Sequence, residues 1–137
     1  MSEKIDNFCE TLRIKLTNVE NGLQSLHSTI DDKTARAEQK VQDHLHAVKT
    51  RIDGDRAHVE SAKAAVANWI EQKNATASTK VAEWKAKREL AKLQNRAEAA
   101  ERYAAAATAL AAAALDEAEQ AAIEAWLARK DAEIAAA

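Results

Sequence analysis

A chain of 137 residues with no proline, two glycines and one cysteine has little turn chemistry for a many-element globule and cannot close an internal disulfide. Its 20 basic and 22 acidic residues leave a formal net charge of −2, which argues for neither a nucleic-acid partner nor an anionic membrane, and no nucleic acid is expected. Strong helix formers dominate and β-branched residues never alternate with period two, so the expected fold class is all-α.

The opening stretch, MSEKIDNFCETL, is charged and lacks the apolar core of a signal peptide. From there Ile5, Phe8, Leu12, Leu16, Val19, Leu23, Leu26 and Ile30 recur at steps of three and four, one face of an α-helix. The stripe thins at DDKTARAEQK and resumes at Val41, Leu45, Val48, Ile52, Val59, Ala62, Val66 and Ile70. Two columns inside it repeat every eleven residues: Phe8, Val19, Ile30, Val41 and Ile52, then Leu26, Ala37, Val48, Val59, Ile70 and Val81. Eleven residues in three turns is about 3.67 per turn, close to a straight helix, as in long coiled coils and in lipid-surface helices alike. The pattern predicts a first helix over about residues 3–73, whose bulky positions form an interaction stripe. Gly22 sits beside that stripe, where a missing side chain admits a close neighbour. Gly54 sits on the outer face, and because the apolar phase carries from Ile52 to Val59 the helix is expected to continue through it.

The next segment, VANWIEQKNATASTKVAEW, places Trp69 and Trp84 about a small polar run. Asn74, Thr76, Ser78 and Thr79 prefer caps and turns to helix interiors, and Ser78 or Thr79 can N-cap a second helix. A turn over about 74–79 is expected, with Trp69 and Trp84 packed at the tip of a hairpin. The rival is one continuous rod, since Ile70 and Val81 keep the eleven-residue step.

Beyond the turn an alanine-rich helix is predicted over about 80–135. Leu90, Leu93, Ala97, Ala100, Ala104, Ala107, Ala111, Ala114, Ala118 and Ala122 carry its helical spacing, with Ile123, Trp126, Leu127 and Ile134 near the end. Its longest apolar run, AAAATALAAAAL, is too short and too rich in alanine to span a bilayer. The expected architecture is one domain, 1–137, in which long amphipathic helices form an antiparallel, coiled-coil-like hairpin. Apolar surface on several faces of the alanine-rich arm calls for completion by self-association, a dimer being the expected homo-oligomer.

Little else in the sequence carries chemistry. His44 and His46 point about 200° apart on a helix and cannot share an ion; His44 and His58 would lie about 21 Å apart along it. Asp55 and His58 are the one ligand-like local pair, and no Glu-x-x-His occurs. Cys9, at the edge of the stripe, reads as a half-buried thiol without a role. No phosphate loop, dinucleotide fingerprint, nucleophile elbow or zinc spacing is present. No catalytic, cofactor-binding or metal-binding residue is expected, and the chain is not expected to be an enzyme. Lys80, Lys85, Lys87, Arg88, Lys92 and Arg96, with Trp84 among them, form a candidate contact for an anionic surface.

Small size, absence of proline, alanine-rich amphipathic helices and the lack of a targeting signal resemble bacterial phasins and apolipoprotein-type repeats. That resemblance implies a coat on lipid or polyester granules. The eleven-residue repeats and the abundance of Ala, Lys and Glu are also similar to late-embryogenesis proteins, implying a stress-protective role. The bulky stripe of the first thirty residues points instead to pre-folded helices. The leading expectation is therefore a cytoplasmic, non-enzymatic, self-associating coiled-coil protein that presents a helical surface to its own copies and other helical partners.

Overall fold

The computed structural model describes residues 3–29, 32, 34–75 and 78–137, with side chains described throughout that set except at 74 and 75. Among these residues there are four helices: α1 Glu3–Ser28, α2 Ala35–Ala75, α3 Ser78–Lys87 and α4 Leu90–Ala136. The described residues contain no strand. No described helix is long and apolar enough to cross a membrane.

The helix expected over 3–73 is interrupted, because α1 stops at Ser28 and α2 starts only at Ala35. Short polar side chains offer the backbone an alternative to the helical ladder here. The Thr29 hydroxyl donates to the Leu26 carbonyl at 2.9 Å, and the Thr34 amide donates to Asp32 Oδ1 at 2.9 Å. Thr34 then caps α2, its Oγ1 accepting from the Ala37 amide at 3.2 Å. The Thr34 amide, with the Thr34 hydroxyl and the Lys130 charge, holds the Asp32 carboxyl below its usual range. The eleven-residue column runs across this break through Ile30, which lies outside the described residues.

α2, by contrast, runs unbroken through Gly54, as its flanking apolar phase predicts. The expected turn at 74–79 falls partly on Thr76 and Ala77, outside the described residues; α2 ends at Ala75 and α3 begins at Ser78. Residues 69–103 are not one continuous helix. Trp69 stacks on Tyr103 with ring centroids 5.4 Å apart, whereas a single helix would separate those positions by about 51 Å.

A further break splits the helix expected over 80–135. Arg88 adopts φ 54°, the Glu89 amide donates to the Trp84 carbonyl at 2.9 Å, and the Arg88 amide donates to the Lys85 carbonyl at 3.3 Å. This is a Schellman stop with arginine where glycine is usual. The Leu93 amide then donates to the Glu89 carbonyl at 3.2 Å as α4 begins.

The chain divides into two compact units whose boundaries fall inside α1, α2 and α4: Met1–Thr11 with Ala57–Leu110, and Leu12–Arg56 with Ala111–Ala137. In the second, Leu26, Val41, Leu45, Val48, Ile123 and Trp126 form the buried core, with Ile52, Ala122 and Leu127 packed against it. Val19 and Ala37 are buried as well. In the first, the buried apolar residues among those described are Ala62 and Ala106, and the larger side chains are half-buried or, at Ile70 and Leu90, exposed.

Candidate functional site

In the second unit the face that α4 buries is not the one its alanines predict. Ala111, Ala114 and Ala118 are exposed, while Asp116, Glu119, Ile123, Trp126 and Lys130 are buried at steps of three and four. Alanine on every side leaves the hydrophobic pattern of this helix nearly featureless, so the bulky partners on α1 and α2 choose the face, and two acids go in with it.

Asp116 is 1% exposed and accepts from Lys15 Nζ of α1 at 2.7 Å through Oδ2 and from Arg51 Nε of α2 at 2.9 Å through Oδ1. Arg51 Nη2 also reaches Glu119 Oε1 at 3.4 Å, and His44 Nε2 lies 3.3 Å from the same oxygen. Two carboxylates removed from water are thus each partnered, the condition under which buried charge is tolerated. A Cβ built on Gly22 would fall 2.7 Å from Glu119 Oε1. The close neighbour that this glycine admits is therefore a buried carboxylate. Next to the α1–α2 connection, Lys130 Nζ donates to the Asp32 carbonyl at 3.1 Å and lies 4.7 Å from the Trp126 ring centroid.

The expected interaction stripe divides between inside and outside. Ile5, Phe8 and Leu12 are half-buried; Val19, Leu26, Val41, Leu45 and Val48 are buried; Ile52, Val59 and Val66 are half-buried. Leu16, Leu23 and Ile70 stay 49%, 40% and 51% exposed. Leu16 and Leu23, one heptad apart on α1, flank Val19 and share a groove with Leu115 of α4. Those positions are apolar and without cover within their unit.

In the first unit Trp69 and Trp84 line one cleft of about 490 Å³ between the end of α2, α3 and the start of α4. The ring partner of Trp69 is Tyr103, a residue that no periodic signal in the sequence marks for packing. Of the candidate anionic-surface residues, Lys80, Lys85, Lys87, Arg88, Lys92 and Arg96 are all exposed, and only Lys92 and Arg96 line that cleft. Lys87 is paired with Glu83 at 2.7 Å and Lys92 with Glu89 at 3.3 Å.

Cys9 is exposed, not half-buried. His46 and His58 are exposed, and among the described residues no three His, Cys, Asp or Glu side chains gather where they could hold a metal ion. Neither protein-family models, curated proteins nor solved structures yield a match to this chain.

Proposed function

We propose that this chain is a non-enzymatic helical interaction protein, an antiparallel coiled-coil-like assembly that self-associates through the outer leucine row of α1. The observation that carries the reading is the exposure of Leu16 and Leu23, one heptad apart, beside a helix face already committed to a core. A second copy laying the same row against this groove would remove apolar area from water at about 25 cal/mol per Å². The spacing of seven is the one on which paired helices interlock. In the unit of Leu12–Arg56 and Ala111–Ala137, the α2–α4 contacts step from Arg51–Asp116 through His44–Glu119 to Thr34–Lys130, which supports an antiparallel run of those segments.

The coat reading has its own support in the exposed cations Lys80, Lys85 and Arg88 around Trp84. Circular dichroism and tryptophan emission with and without anionic vesicles separate the two. An interaction protein is already helical in plain buffer, melts cooperatively and is unchanged by vesicles at physiological salt. A gain in helicity together with a blue shift of the emission would replace this reading with the coat.

A further inference from the structure

We infer that the cleft between the two indoles is a binding site for a flat aromatic anion. Its volume, about 490 Å³, is that of a small-molecule pocket, about 300–1,000 Å³ in most proteins. The walls come from three helices: Trp69 from the end of α2, Trp84 from α3, and Arg96 from α4. The α3–α4 stop holds Arg88 at φ 54°, a conformation that side chains other than glycine avoid. That stop is what turns the Trp84 end of α3 onto the opening residues of α4.

The lining is chemically one-sided. Indole rings and the small side chains of Val81 and Ala99 supply apolar surface, and Lys73, Lys92 and Arg96 supply positive charge. Among the described residues no acidic side chain lines the cleft. Lys92 is already shared with Glu89 at 3.3 Å and lies 5.9 Å from the Trp84 ring centroid, so Lys73 and Arg96 are the cations left to a ligand. The guanidinium of Arg96 presents the donor fork that matches a carboxylate, sulfonate or phosphate. Gln72 and Asn95 add amide donors and acceptors for polar atoms on a ring edge.

An aromatic body is favoured over an alkyl chain by the existing stack. Trp69 is fixed by its stack on Tyr103, the planes only 18° apart, so the cleft has a rigid indole in its wall against which a planar ring packs better than a flexible chain. Packing of this kind rewards planar ligands, and the cations then select the negatively charged ones. Such a site is independent of self-association through α1, since none of the residues named for it belongs to the leucine row.

The test uses the full-length protein and two probes with one body. 1-Anilinonaphthalene-8-sulfonate carries the anion, and N-phenyl-1-naphthylamine lacks it. Energy transfer from tryptophan should report saturable binding of the sulfonate, one per chain, with the neutral probe clearly weaker. Arg96→Gln and Lys73→Gln should each raise the sulfonate Kd about tenfold, the loss of one charge-assisted contact, and leave the neutral probe where it was. Lys63→Gln, on the exposed Glu60–Lys63 pair of α2, should change neither. Trp84→Ala should weaken both probes, with circular dichroism verifying that the helices persist. Dodecanoate should not displace the sulfonate. Equal binding of the two probes, insensitivity to both cation substitutions, or displacement by the alkyl anion would each overturn the assignment.

Discussion

The two compact units use the same secondary structure to opposite effect. The unit of Leu12–Arg56 and Ala111–Ala137 buries leucine, valine, isoleucine and tryptophan together with two acids and a lysine. The other buries alanine and leaves its tryptophans half exposed around a cleft. An alanine methyl removes little apolar area from water, whereas a fully buried Val, Leu or Ile contributes about 1.5–3 kcal/mol. Helical content therefore says little about where stability resides. One unit is a scaffold held by bulk and paired charge, and the other keeps the open surface on which a ligand can act.

The largest effect should come from the scaffold. Ile123 is 0% exposed, so Ile123→Ala should lower the stability measured by urea unfolding by about 3 kcal/mol. Val66→Ala, at a half-buried position of the other unit, should cost about 1 kcal/mol or less. Equal losses at the two positions would show that the units do not differ in this way.

Asp116→Leu should cost nearly as much, about 2–3 kcal/mol in the same unfolding measurement, because Lys15 is left largely buried without its carboxylate. Arg51, whose side chain is 39% exposed, can turn to water and contributes less. The double variant Lys15→Met with Asp116→Leu should recover most of the loss, since a buried ion pair exchanged for apolar side chains of similar volume is often neutral.

The glycines set a filled surface against an empty one. Gly22→Ala drives a methyl against Glu119, whose carboxylate is fixed by Arg51 and His44. A net loss of about 1 kcal/mol is expected, overpacking outweighing the helical preference for alanine. Nothing lies within 4 Å of a Cβ on Gly54, so Gly54→Ala should raise stability by about 1 kcal/mol. Thermal melts of the two variants should move in opposite directions.

The smallest effect belongs to the stop between α3 and α4. Arg88→Gly relieves the left-handed backbone but frees the unfolded chain, for a net gain of about 0.5 kcal/mol in thermal melts. A loss would show that the Arg88 side chain makes an interaction outweighing its backbone strain.

Much of the helical content is legible from spacing alone, because Val19, Leu26, Val41, Leu45 and Val48 fall on one stripe and all are buried. The breaks are not. Between Ser28 and Ala35 the apolar phase is preserved while Asp32 and Thr34 offer the backbone local partners, so periodicity reports one helix where there are two. At 88–89 the residue in the glycine position is an arginine, which carries no stop signal. The apolar phase does shift after Trp84, but a turn at 74–79 accounts for that shift equally well. The buried face of α4 is hidden for a different reason: Asp116 and Glu119 look like solvent residues until Lys15 and Arg51 are brought to them from two other helices. For the cleft, Trp69, Trp84, Lys92 and Arg96 stand out in the sequence, and their convergence with Lys73 and Asn95 depends on the position of α3.

Self-association through α1 is decided by sedimentation equilibrium over the micromolar range, on the parent chain and on Leu16→Gln with Leu23→Gln. The parent chain should sediment as a multiple of its 14.9 kDa mass. The double variant should sediment as the monomer with its helicity intact, because both substitutions lie on exposed positions. A parent chain that stays at 14.9 kDa throughout, or a variant that associates as strongly as the parent, would rule out assembly through the leucine row.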